Sequence, residues 1–394
     1  MKNILDDLKN IRNKNILFLQ GPMGFYFKKL QVKLKKTNNV FRIGFNKGDE
    51  FFSLKEGFYS YKGNINKWEE FISIFLEEKH IDIVFLFGDT RTYHSKAINI
   101  CKSNKILVYV FEEGYIRPNY ITLEKYGTNN YSILPRERLF YEKLDFKNIK
   151  IGKEKKISQY TYLWMAWQAG IYYLISSLFK NQYPNYLHHR NFSTRKEFLV
   201  ALINFYRWVK YKIKEKNLKN KYKIELSKKY FFVVLQTVND SQIKFHSNFN
   251  SMEEFIVFTI KSFSSNAPKD KILVFKHHPM DRGRADYFSF ILNLSIKFGI
   301  SKRVHIIYDV HLPTLLKNAI GTITINSTVG LSSLNHKTPV ICLGKAIYDI
   351  DGITARGLSL DEFWNLNLKI NTSLLENYKC YLIKYTQING SFYK

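Results

Sequence analysis

Short apolar runs closed by glycine alternate with amphipathic stretches through the first 110 residues. Asn15–Gln20 is an apolar run stopped by Gly21-Pro22-Met23-Gly24, and a lysine-rich helical pattern follows from Phe25 to Lys36. Val40–Phe45 predicts a second strand, ended by Asn46-Lys47-Gly48-Asp49. Trp68–Lys79 has the spacing of an amphipathic helix, Ile81–Phe87 that of a strand ending in Gly88-Asp89, and Tyr93–Ser103 that of another helix. Ile106–Phe111 is the next apolar run. Continuous apolar runs of this length mark strands buried on both faces, as in parallel sheets covered by helices. Strand and helix alternating at this spacing predict a doubly wound parallel sheet.

The pattern restarts in the second half. Tyr230–Gln236, Lys271–Lys276, Val304–Ile307, Gly321–Ile325 and Pro339–Leu343 are strand-like, with helical stretches at Met252–Phe263, His311–Asn318 and Leu331–Asn335. The expected fold is therefore α/β: two Rossmann-like domains, at 1–150 and 226–394, facing across a cleft in the GT-B manner. A helical insertion is expected at 151–225. Within it Trp164–Ile175 is apolar and aromatic nearly all round, but shorter than the roughly 20 residues that span a bilayer. Its tryptophans and tyrosines suit a membrane interface as well as they suit a buried core helix. Tyr186-Leu187-His188-His189-Arg190 is either an anion site or an ordinary solvated loop.

Composition narrows the partners. Lysine and arginine number 61 against 33 acids, a formal charge of +28, so an anionic partner is implied. Lysines are densest between Phe205 and Lys229, where a basic face can meet anionic lipid. Nucleic acid is not the expected partner, because no RRM, KH or zinc-finger pattern accompanies the charge. A hydrophobic content of 45% argues against disorder, and three scattered cysteines fit a reducing compartment. The N-terminus carries no signal-peptide pattern.

Candidate chemistry gathers where strands are expected to end, the rim at which open α/β sheets bind ligands. In Val108–Asn119 a strand runs into Glu112-Glu113-Gly114, with Arg117-Pro118 close behind. In the second half Lys276-His277-His278-Pro279 follows a strand, and proline there fixes the turn. Asn326-Ser327-Thr328-Val329-Gly330 opens a helix, where hydroxyls and free N–H groups can hold an anion or simply cap the helix. Gln236 with Asp240-Ser241-Gln242 and His246 forms a third polar cluster. The Gly21–Gly24 loop matches neither G-x-G-x-x-G nor a P-loop.

Several of these segments together resemble the KpsS/LipB-type capsule polysaccharide protein family. They are Gln20-Gly21-Pro22, Phe111–Thr122, Leu235-Gln236 with Asp240-Ser241-Gln242, Lys276-His277-His278-Pro279, and Gln387–Tyr393. The resemblance implies a cytoplasmic enzyme, peripheral on the inner face of the inner membrane, among other capsule biosynthesis and export proteins. It implies transfer of β-Kdo (3-deoxy-D-manno-oct-2-ulosonic acid) from CMP-Kdo to a phosphatidylglycerol-type lipid, starting a Kdo linker that the sister KpsC family extends. The sister family carries Glu-Asp-Gly where this chain has Glu112-Glu113-Gly114. Glu113 is thus the implied carboxylate at the anomeric carbon, as nucleophile or general base, and Glu112 its orienting or acid/base partner. Arg117 is the implied clamp on the donor's carboxylate. Lys276, His278, Pro279, Asn326, Ser327, Thr328, Gly330, Gln236 and Ser241 are the implied CMP-binding set. No metal or further cofactor is expected, since CMP is a good leaving group and no Asp-x-Asp motif occurs. The competing functions are a CDP-glycerol-type phosphotransferase and a non-catalytic partner in capsule export.

Overall fold

A computed structural model describes residues 4–144, 155–158, 160–188, 194–238, 243 and 246–393. The chain forms two compact units. The first comprises residues 1–133, 149–194 and 380–394, and the second residues 134–148 and 195–379.

The first unit is built on a seven-stranded sheet. Its strands are β1 (Asn15–Phe18), β2 (Asn39–Gly44), β3 (Phe58–Ser60), β4 (Ile83–Phe87), β5 (Leu107–Glu113), β6 (Tyr120–Lys125) and β12 (Gln387–Asn389). Their spatial order is β12-β6-β5-β4-β1-β2-β3. The five strands β1 to β5 are mutually parallel, while β6 runs antiparallel to both its neighbours. Alternate residues serve two cores, because side chains along a strand point to opposite faces. Leu17, Val84, Leu86, Val108 and Val110 pack on one face, and Ile16, Phe18, Phe85, Tyr109 and Phe111 on the other. Each such side chain taken from water contributes about 1.5–3 kcal/mol, which fixes the register of these apolar runs.

The second unit holds a five-stranded, wholly parallel sheet. Its strands are β7 (Tyr230–Val234), β8 (Ile272–Lys276), β9 (Val304–Ile307), β10 (Gly321–Thr324) and β11 (Val340–Cys342). The order β11-β10-β7-β8-β9 repeats that of β5-β4-β1-β2-β3. Both sheets therefore reverse direction of growth beside their first strand, the switch point where such sheets open a crevice.

Two expectations about the chain's division are corrected, and one alternative left open is decided. The last residues do not belong with the second unit: β12 pairs with β6 and carries Phe392 into the first core, edge-on to Tyr26 and Phe87. Nor is 151–225 one insertion, since its first part joins the first unit and residues from 195 onward join the second. Finally, the aromatic segment is not a core helix. Helix Thr161–Leu178 buries only Gln168 and Tyr172. Gln168 accepts a hydrogen bond from Phe25 N at 3.0 Å, and Tyr172 Oη donates to Asp49 Oδ1 at 3.0 Å. With Ser176, which donates to Asn46 Oδ1, they form an i, i+4, i+8 stripe that binds the helix by polar contacts. The opposite stripe, Leu163, Trp167, Leu174 and Leu178, is 52–69% exposed. Among the described residues no helix is long and apolar enough to cross a membrane.

Candidate active site

The two acids stand where the sequence places them. Glu112 and Glu113 are the last residues of β5, opposite Thr122 and Ile121 of β6. A glycine must follow, because a Cβ at Gly114 would lie 1.9 Å from the Tyr120 carbonyl oxygen. The turn is then fastened by the far end of the chain. Gln387 Oε1 accepts from Tyr115 N at 3.0 Å, while its Nε2 donates to Thr122 Oγ1 at 3.0 Å. Tyr115 Oη donates to Glu124 Oε1 at 2.6 Å beneath the turn. These bonds satisfy backbone and side-chain groups that burial would otherwise leave unpaired.

Both carboxylates line one open pocket that encloses about 660 Å³, solvent at its mouth included. Its wall is formed at the carboxyl ends of β1, β4 and β5, which is the switch-point crevice of this sheet. Gln20 and Gly21 come from the β1 end, Phe87 and Arg91 from the β4 end, and Tyr172, His188 and Tyr393 from later segments. Burial pushes the Glu112 carboxyl up to about 7. A hydrogen bond from Glu113 N to Glu112 Oε1 (3.0 Å) and the Arg91 charge oppose the rise, while the charges of Asp89 and Glu113 add to it. A carboxyl that titrates near neutrality can give and take a proton at physiological pH.

Arg91 is a pocket-lining residue that sequence reasoning missed. It stands just before helix Thr92–Ser103, four residues beyond β4. Its Nη1 donates to Gln20 Oε1 at 2.8 Å and its guanidinium lies over the Phe87 ring, 5.0 Å from the centroid. Gln20 is itself locked, with Asp49 Oδ2, Tyr172 Oη and Tyr186 Oη each 3.0 Å from its Nε2, whose two N–H groups they share. The strand-end rule that found Glu112 applied equally after Gly88-Asp89 and would have found Arg91. Arg117, by contrast, lies outside the pocket. It is exposed, and its Nε donates to Gly114 O at 3.2 Å.

In the second unit the proposed nucleotide residues do share the carboxyl edge of one sheet. Gln236, after β7, meets Asn326, after β10. Gln236 Nε2 donates to Asn326 Oδ1 at 3.0 Å, and Asn326 N donates to Gln236 Oε1 at 3.2 Å. Val238 N donates to Asp281 Oδ2 at 2.7 Å, which joins the loop after β7 to the short turn Pro279–Asp281. His278 caps that turn, accepting from Met280 N at 3.2 Å, with Pro279 exposed at its first position. Lys276 is turned to the protein: its Nζ donates to Tyr308 O at 2.5 Å. Desolvation pulls its ammonium down to about 8 despite the nearby Glu215 and Asp309 charges. His277 is a core histidine stacked 4.5 Å from Tyr308, accepting from Tyr287 N, and burial lowers it to about 4. Ser327 Oγ accepts from Val329 N at 3.2 Å, and the Thr328 side chain makes no capping bond. A Cβ at Gly330 would meet Tyr348 Oη at 2.1 Å, so glycine serves close packing there. The helix it opens, Val329–Asn335, has seven residues. Ser241 lies outside the described residues.

Comparison with known proteins agrees over most of the chain. Residues 82–393 match the family described as capsule polysaccharide biosynthesis protein. The chain is 35% identical over 390 residues to the capsule polysaccharide export protein KpsS of Escherichia coli, covering 97% of this chain and 98% of that one. It is 37% identical over 409 residues to the capsule polysaccharide modification protein LipB of Neisseria meningitidis, covering 100% and 94%. Among solved structures, KpsC of Thermosulfurimonas dismutans, a β-Kdo 2,7 transferase, aligns with 92% of this chain and 89% of its own. That alignment has 15% identity and a TM-score of 0.42.

Proposed function

This chain belongs to the capsule polysaccharide biosynthesis protein family, and on that premise we propose that it is a glycosyltransferase. The reaction we assign is transfer of β-Kdo from CMP-Kdo to a phosphatidylglycerol-type lipid, the first step of a Kdo linker. The observation that carries this reading is the pair Glu112 and Glu113 in one open pocket at a sheet switch point. In the assigned mechanism the Glu113 carboxylate attacks the anomeric carbon. The C–O bond to CMP breaks, and CMP departs with the bonding pair. The acceptor hydroxyl then displaces Glu113 and gives its proton to Glu112, whose raised affinity for a proton suits that task. Recognition of the CMP group is assigned to the carboxyl edge of the second sheet, with His278, Asn326, Ser327 and Thr328 as the contacts.

The lipid acceptor places the proposed workplace at an anionic membrane surface. Two helices support this. Thr161–Leu178 presents the exposed apolar stripe already described. Thr194–Lys214 is held to its own unit on one side: Arg207 Nη1 donates to Arg282 O, Tyr211 stacks on Tyr308, and Glu215 just beyond accepts from Tyr308 N and Asp309 N. Its other side exposes Leu202, Phe205, Tyr206 and Ile213, with Lys212 over the Trp208 ring. Apolar and cationic groups on one exposed helix are what an anionic interface selects.

Purified protein given CMP-Kdo and a fluorescent phosphatidylglycerol analogue is expected to release CMP and yield a Kdo-bearing lipid. Turnover of CDP-glycerol instead would favour the phosphotransferase, and turnover of neither would favour a non-catalytic role. Vesicle sedimentation at two salt concentrations is expected to favour anionic over neutral lipid; equal binding to both would remove the membrane assignment.

A further inference from the structure

Among the groups lining the pocket, Arg91 carries the fixed positive charge; its charge acts on Glu112 through space, while its hydrogen-bond and ring partners are neutral. They are the Gln20 amide oxygen and the face of Phe87. Among the described residues no carboxylate lies within ion-pair distance of it. Gln20 in turn is held at three points, so the guanidinium is positioned before any ligand arrives. Its place at the start of helix Thr92–Ser103 adds the positive end of the helix dipole to the same spot. Glu112 is close by: a Cβ at Gly88 would have Arg91 Nε at 3.4 Å and Glu112 Oε2 at 3.7 Å. A preorganised cation with unspent donors, beside a pair of acids, is built for an anionic group on the reacting molecule.

From this geometry we propose that Arg91 receives the carboxylate of an acidic sugar whose anomeric carbon reacts at Glu112 and Glu113, and that it restricts the pocket to such sugars. The inference rests on the glycosyl-transfer reading of this site and adds to it the residue that selects the sugar class. The chemistry calls for such a residue. In an ulosonic acid the carboxylate is bonded directly to the anomeric carbon, so a carboxylate nucleophile approaches an electrophilic carbon whose own substituent is negatively charged. A guanidinium on the sugar's carboxylate neutralises that repulsion during attack. Arg117 is exposed, is not among the residues lining the pocket and donates to Gly114 O instead.

The test separates binding from turnover. Full-length Glu113→Gln protein is titrated calorimetrically with free Kdo and with its methyl ester. The acid is expected to bind about 10- to 100-fold more tightly than the ester. Adding Arg91→Met should erase that preference, and Arg91→Lys, which keeps the charge and loses the planar fork, should retain part of it. An unchanged acid-to-ester ratio in either Arg91 variant overturns the proposal, as does a parent that binds acid and ester alike. Circular dichroism checks folding, and the lysine variant decides the matter if the methionine variant does not fold. In steady-state assays of Arg91→Lys with Glu113 intact, KM for the sugar nucleotide should rise while KM for the lipid stays level. A rise confined to the lipid would move Arg91 to the acceptor phosphate and overturn the assignment to the sugar. Wild-type protein that binds the acid selectively but releases no CMP would defeat the glycosyl-transfer reading and leave the anion site standing.

Discussion

Two glutamines hold equivalent places in the two sheets and have opposite surroundings. Gln20 follows β1 and Gln236 follows β7, each two residues past the first strand of its unit and each preceded by leucine. Both are buried, and both reach across the switch point to the residue beyond the fourth strand. Gln20 meets Arg91 there, and Gln236 meets Asn326. One pairing leaves a guanidinium with free donors beside two carboxylates in an open pocket. The other is a reciprocal amide pair in which donors and acceptors satisfy each other. A shared topology supplies the position, and the residue beyond the fourth strand decides what the glutamine bonds.

The largest effect is expected on the charged side. Glu113→Gln removes the proposed nucleophile, and transfer should fall at least about a thousandfold while CMP binding is retained. Near-normal CMP release by this variant would take the acid pair out of the mechanism.

A smaller effect concerns pH. Glu112 in the folded protein holds its proton up to about 7, against an ordinary value of 4.5. Between those values the folded state binds more protons than the unfolded state, so stability falls as pH rises through that window and then levels off. Glu112→Gln abolishes this slope, and should stabilise the protein relative to wild type at pH 8, by up to about 3 kcal/mol, but not at pH 4. Parallel melting curves at the two pH values measure it, and equal differences at both would contradict the buried carboxyl.

Gly114→Ala tests the turn that aims the acids. Overlap with Tyr120 O should destabilise the first unit by about 1–3 kcal/mol in urea unfolding. An unperturbed midpoint would show that the turn yields. The smallest effect belongs to the second sheet: Gln236→Ala should lower stability by about 1 kcal/mol through loss of its Asn326 bonds. Gln20→Ala should exceed it, because Asp49, Tyr172 and Arg91 all lose a partner. Equal losses would erase the contrast between the two crevices.

Most of both sheets was legible because apolar runs of four to six residues, closed by glycine or proline, have few other ways to bury themselves. The acids of Glu112-Glu113-Gly114 were legible for the same reason, as a strand end is visible in sequence. The strands β3, β6 and β12 were not. Tyr120–Lys125 mixes Thr122 and Glu124 with apolar residues, and both polar side chains are buried with partners from other segments, Gln387 and Tyr115 among them. Gln20 and Gln236 belong to the same kind of position, yet nothing in the sequence says which residue each will bond across its sheet.

What the sequence determined by itself was therefore local: two repeats of a parallel α/β pattern, two acids at a strand end, and an excess of positive charge. Tertiary structure alone decided which cation joins the acids. Arg117 is four residues from Glu113 in the chain, but it bonds Gly114 O and does not line the pocket. Arg91 is 22 residues away and lies beside Glu112, because parallel strands align their carboxyl ends however long the connection between them. The C-terminal segment makes the same point, since Gln387 and Tyr393 complete a site begun some 270 residues earlier. Proximity along the chain set the expectation, and hydrogen bonding across the sheet set the site.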